Sequence, residues 1–97
     1  MYAVVRSGTL KPGMTAEFVA KAEQAAEGLT GKIPGFKAFY IIAGEGDTMC
    51  TVGVFDNKGM ADAAQSIIAA AIQGVFAPML ASPPTAIAGT VAVAKTF

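Results

Sequence analysis

The sequence predicts an α+β domain of order βαββαβ, with a four-stranded antiparallel sheet and two helices on one face. Three observations predict it. Short β-rich runs at residues 2–6, 36–43, 48–55 and 85–97 are interleaved with two segments of helical periodicity. The middle two runs are joined by a short turn and form a hairpin, while a helix separates each outer pair. Neither face of the middle strands is clearly polar, so the side the helices leave open needs a further cover.

The first strand is the alternating run Tyr2-Ala3-Val4-Val5-Arg6. Ser7-Gly8-Thr9-Leu10-Lys11-Pro12-Gly13 reads as a loop rich in breakers. Helix one covers 15–30, with Thr15 as N-cap and Glu17 in the first turn, where an acid meets the helix's positive end. Phe18, Ala22, Ala25 and Leu29 recur at helical spacing, and Gly31 is suited to end the helix. Pro34 keeps Ile33 out of helical space. Strand two then sets Phe36, Ala38, Tyr40 and Ile42 against Lys37, Phe39, Ile41 and Ala43. Gly44-Glu45-Gly46-Asp47 reverses the chain into strand three. Gly44-Glu45-Gly46 is no phosphate loop, because a strand follows it and not a helix N-terminus. Asp56 or Asn57 caps helix two. Its expected apolar stripe is Met60, Ala63, Ala64, Ile67, Ala71, Ile72, Val75 and Phe76, with Asp62, Gln65, Ser66, Ala69 and Gln73 opposite. Pro78 and Ser82-Pro83-Pro84 stop the helix before the last strand, where Ile87, Gly89, Val91, Val93 and Lys95 share a face.

The 97 residues are expected to form one domain, 1–97. A chain of this size buries roughly 60–65% of its unfolded surface, enough for one modest core. Only 14% of residues are charged and 54% are hydrophobic, with a mean hydropathy of +0.54. Soluble domains carry about 25% charged residues, so part of the surface is expected to be buried against a second copy. Seven basic and seven acidic residues cancel, and none cluster, which disfavours nucleic acid and anionic lipid as partners. One cysteine and no histidine leave no internal disulfide and no usual zinc or haem site, so no metal and no cofactor are expected. The N-terminus lacks a basic segment followed by a long apolar run, so a cytoplasmic location is expected. Residues 63–94 carry no charge, and 63–81 are long enough to span a bilayer. Gln65, Ser66 and Gln73 share one side, and Gly74 and Pro78 interrupt. No basic residue closely flanks the run, which therefore reads as a buried amphipathic helix and not a membrane span.

Few residues offer chemistry. Arg6 ends strand one; pointing inward it would hold a carboxylate or phenolate, and pointing outward it would pair with a surface acid. Tyr40 lines a pocket on one reading and is a packed strand aromatic on the other, the commoner case. Cys50 is the sole thiol; without a histidine to activate it, a small core residue is the simpler reading. Asn57 is a pocket amide or, more simply, the N-cap of helix two. Met49 and Met60 read as core fillers. The acids lie at turns and helix surfaces and form no catalytic pair.

Tyr2-Ala3-Val4-Val5-Arg6, Ile33-Pro34-Gly35-Phe36, Val52-Gly53-Val54-Phe55-Asp56 and the Pro83-Pro84 stop resemble the dimeric α+β barrel superfamily of ferredoxin-like folds, and within it the small antibiotic biosynthesis monooxygenase-like proteins. The resemblance spans essentially the whole chain, but its motifs are short and carry fold better than function. It implies a homodimer with its two sheets face to face and an apolar pocket between sheet and helices. Oxygenating members act on polycyclic phenols without metal or flavin, using Asn, Trp and Arg; this chain has no Trp, one Asn and one Arg. Haem-degrading members use a histidine that is missing here. The expected function is therefore binding of a small hydrophobic molecule, or a structural dimer. The alternative is a cofactor-independent monooxygenase or isomerase acting on an aromatic or polyketide-like substrate.

Overall fold

The computed structural model describes residues 1–30 and 33–96. Strand β1 (Tyr2–Thr9) is followed by helix α1 (Thr15–Thr30), β2 (Phe36–Ala43), β3 (Thr48–Phe55), α2 (Lys58–Ala71) and β4 (Thr85–Thr90). The sheet order is β2-β3-β1-β4 and every pair is antiparallel. This is the ferredoxin-like arrangement that the order of elements predicts.

The helices pack on one face. Phe18 and Ala22 of α1 meet Met49, Leu10, Met79 and Leu80 in one buried cluster. Ala61 and Ala64 of α2 meet Val4, Phe55 and Ile33 in a second. Alanines at the α2 contact let the helix lie close to the sheet, and Phe55, 1% exposed, supplies the bulk, worth about 1.5–3 kcal/mol of apolar transfer. Phe36 stacks on Phe55, with ring centres 4.9 Å apart.

Several elements differ from the sequence reading. Strand β1 runs on to Thr9, because Ser7, Gly8 and Thr9 pair with Cys50, Met49 and Thr48; side chains that look like loop punctuation are held by the ladder of a neighbouring strand. Strand β4 stops at Thr90, short of the 85–97 run. The register of β2 against β3 slips between Phe36 and Ala38. This bulge turns Phe36 onto the helix-covered face, away from Tyr40 and Ile42. Helix α2 sits about one residue out of the expected phase. Ala61 is buried, Gln65 is half-buried and Ile67 is exposed. A helix apolar almost all round has no unique stripe to read, and a hydrogen bond draws Gln65 inward.

At the start of α1 the Thr15 hydroxyl donates to Asp47 Oδ1 (2.8 Å), tying the helix to the β2–β3 turn. That turn is a 3-10 turn at Glu45–Asp47 closed by Gly44 N–H to the Thr48 carbonyl (2.9 Å). Gly31, expected to end α1, and Phe97 lie outside the described residues. Past α2 the chain widens into a π turn, Ile72–Phe76, and a 3-10 turn, Ala77–Met79, with Pro78 at its start. The helical stretch Lys58–Met79 is long and apolar enough to cross a membrane by length and composition, with hydropathy 1.3. In this fold its Ala61, Ala64 and Ile68 rest against the sheet core.

Candidate functional site

A partly enclosed cavity of about 90 Å³ lies between the sheet and the helices, flanked by both core clusters. Small residues create it. Ala22, Ala25 and Ala26 form the wall from α1, and Gly53 leaves the middle of β3 bare. A Cβ on Gly53 would meet only the Phe55 ring, at 3.4 Å, so the absence of a side chain there keeps space open. Phe18, Phe36, Phe39 and Phe76 close much of the remainder.

Two polar side chains border this space among the described residues, Arg6 and Thr51. They are direct cross-strand partners on β1 and β3, so their side chains stand on the same face about 5 Å apart at the Cβ atoms. Val4 and Gly53 form the adjacent pair and continue the wall as apolar surface. The cavity thus has a polar end and an apolar body.

Arg6 is half-buried, and its Nη2 donates to Gln65 Oε1 of α2 at 2.6 Å. The bond is short, as expected where the donor carries charge. Among the described residues no carboxylate pairs with it; the ion pairs there are Lys37–Asp56 and Lys58–Asp62, on the surface. Burial lowers the pKa of the guanidinium from its ordinary value, because desolvation penalises the charged form. Of its five N–H donors, the described residues engage one.

The other sequence candidates sit elsewhere. Tyr40 is on the sheet face without helices and is 59% exposed. Cys50 is on that same face, opposite Ser7 and Ile42 in the ladders. Asn57 caps α2, its Oδ1 accepting from Met60 N–H at 2.9 Å. So Arg6 borders the cavity, while Tyr40, Cys50 and Asn57 do not. Sequence reasoning missed Thr51, Gly53 and Gln65. A glycine inside the strand run Val52-Gly53-Val54 was the available signal for Gly53; the inward turn of Gln65 had none, because it depends on the phase of α2. No group of three or more His, Cys, Asp or Glu that could hold a metal ion occurs among the described residues.

The face without helices has its own pattern. Tyr40, Val52, Val5 and Ile87 are successive cross-strand partners through all four strands. Ala38, Val54, Ala3 and Gly89 form the next row, and Ile42, Cys50, Ser7 and Thr85 the row on the other side. No charged residue occurs in these three rows.

Residues 1–66 match the family model of the antibiotic biosynthesis monooxygenases. Solved structures agree along nearly the whole chain. A protein of unknown function from Nitrosomonas europaea superposes with a TM-score of 0.81 at 24% identity, covering 98% of this chain and 92% of its own. A candidate antibiotic biosynthesis monooxygenase from the same organism gives 0.80 at 16%, covering 96% and 100%. A point mutant of MhuD, with two manganese protoporphyrin IX molecules bound per active site, gives 0.78 at 17%, covering all of both chains. No curated protein matches the chain.

Proposed function

From the premise that the chain belongs to the antibiotic biosynthesis monooxygenase family, we propose that it is a soluble, cytoplasmic homodimer that binds a small, mainly apolar molecule in the cavity of each subunit. The observation that carries this reading is the cavity itself, held open by Gly53 and the α1 alanines between the sheet and the helices. Cores are normally packed to the density of organic crystals, so a void of about 90 Å³ bordered by a guanidinium that no carboxylate pairs among the described residues supports a binding role.

The dimer follows from the apolar rows on the open face. Three strands of eight residues and one of six make a patch about 19 Å wide and about 20–26 Å long from standard spacings. Pairing two such faces approaches the roughly 1,000 Å² a stable interface needs. The cross-sheet row of Tyr40, Val52, Val5 and Ile87 would lie at its centre.

Oxygenation or isomerisation of a polyketide-like ring is not favoured. Sites for molecules of that size run to about 300–1,000 Å³, against about 90 Å³ for the cavity beside Arg6; the pocket of about 320 Å³ at Ile33, Met60 and Ile67 has no polar side chain in its lining to orient a ring. A porphyrin meets the same limit, and the chain has no histidine to ligate its metal.

The test is an NMR titration of isotope-labelled protein with neutral three- and four-carbon ketones and alcohols. Shifts confined to Val4, Thr51, Gly53 and Ile68, and lost in Gly53→Val, support cavity binding. Perturbations scattered over the surface and unchanged in Gly53→Val would defeat it.

A further inference from the structure

The polar end of the cavity is asymmetric in charge. It contains a cation, a hydroxyl and, behind the cation, a neutral amide, with no acid among the described residues. A guanidinium taken partly out of water gains from a carboxylate or phosphate partner, which offsets its desolvation. Here Gln65 occupies the place such an acid would take. It orients the guanidinium through one N–H without cancelling its charge. The charge is therefore left for something that enters the cavity.

Volume restricts what enters. A water molecule's share of the liquid is about 30 Å³, and a cavity of about 150 Å³ is known to admit benzene. At about 90 Å³ the space is smaller than that benzene-sized cavity and suits a fragment smaller than an aromatic ring. Apart from Arg6 and Thr51 the lining is hydrocarbon or thioether, so the rest of the ligand is apolar. Phosphate and sulfate lack such a body, and a dicarboxylate would bring a second charge against Phe36 and Phe55.

We infer that the cavity takes a short-chain monocarboxylate of about two to four carbons, its carboxylate on Arg6 beside the Thr51 hydroxyl and its alkyl end toward Val4 and Gly53. This rests on the cavity-binding reading above and names the chemistry of the ligand. The planar fork of Arg6 matches a carboxylate's two oxygens, and Thr51 offers a further donor from the neighbouring strand. Chain length is limited by Gly53, where any added side chain shortens the apolar body.

The experiment is calorimetric titration of the purified protein, at constant ionic strength and pH 7, with sodium acetate, propionate, butyrate, isobutyrate and hexanoate. The uncharged amides propionamide and isobutyramide are titrated in parallel. The expected result is binding of the two- to four-carbon acids, strongest for propionate or butyrate, with the amides at least tenfold weaker. Arg6→Gln lowers acid affinity roughly 10- to 100-fold and amide affinity by much less. Gln65→Glu supplies an internal acid to Arg6 and abolishes carboxylate binding without loss of fold, checked by circular dichroism. Gly53→Val removes binding of acids and amides alike. Amides that bind as tightly as acids, or acid affinity untouched by both Arg6→Gln and Gln65→Glu, would overturn this inference and leave the cavity-binding reading standing. No binding of any acid or amide at tens of millimolar would overturn both.

Discussion

On the helix-covered face of the sheet, Val4, Met49 and Phe55 are 5%, 7% and 1% exposed; on the opposite face Tyr40, Ile42 and Ile87 are 59%, 53% and 77% exposed. The strands contribute apolar residues to both sides, so the difference comes from what covers them. The covered face is a core that includes a cavity where Gly53 and three alanines withdraw bulk. The open face carries, in its three described rows, aligned apolar and small side chains and no charged residue. One side is suited to hold a small molecule and the other to hold a second copy, so substitutions should separate the two roles.

The largest effect is expected at the centre of the open face. Val52 pairs with Val5 on one side and Tyr40 on the other. Val52→Lys would bring two like charges together across the proposed two-fold axis, at a cost of several kcal/mol. The protein should elute as a monomer by light scattering at micromolar concentration. If the unmodified chain is itself a monomer there, the contrast between the faces carries no assembly role.

Phe55→Ala tests the covered face. It deletes the most buried large side chain, which stacks on Phe36 and borders the cavity. A loss of about 3–5 kcal/mol is expected by urea unfolding, compared at one protein concentration because dimer stability depends on it. A loss under about 1 kcal/mol would mean that this face is less tightly packed than its burial indicates.

The frame of both faces was legible in the sequence, and the details that make the site were not. Element order, the hairpin, the expectation of a sheet apolar front and back, and the capping role of Asn57 follow from local periodicity and turn chemistry. The position of Phe36 does not, because a bulge between Phe36 and Ala38 breaks the alternation on which facing is judged. The helical pattern sets Gln65 opposite the apolar stripe with Asp62 and Ser66, and a helix apolar almost all round fixes no sharp phase. The contact of Gln65 with Arg6 joins residues 59 apart in sequence. The cavity is a meeting of α1 with β3, visible only once the chain is folded. Sequence periodicity therefore marks elements well and voids poorly.

Gly35 sharpens the comparison at the edge where the covered face begins. Its φ is +75° and a Cβ there would run into the Met60 sulfur. Its carbonyl accepts from Asp56 N–H at 2.8 Å, fastening the start of β2 to the end of β3. Gly35→Ala should cost about 1–2 kcal/mol from the left-handed conformation, with the flexible Met60 end giving way. Equilibrium unfolding measures it, and the proposed dimer should be unaffected, since the open face is untouched.

The smallest effect belongs to Asn57, which separates capping from binding. Its side chain satisfies the Met60 N–H, one of the free donors at the start of α2. Asn57→Ala should lower stability by about 1 kcal/mol, while Asn57→Asp, an equally good cap with charge suited to the helix's positive end, should leave it unchanged. Neither should alter the oligomeric state or carboxylate affinity, because Asn57 lies outside both the apolar rows and the cavity lining. A drop in ligand affinity in Asn57→Ala with stability unchanged would return Asn57 to the site. It would show that the binding region extends beyond the Arg6 end of the cavity toward the start of α2.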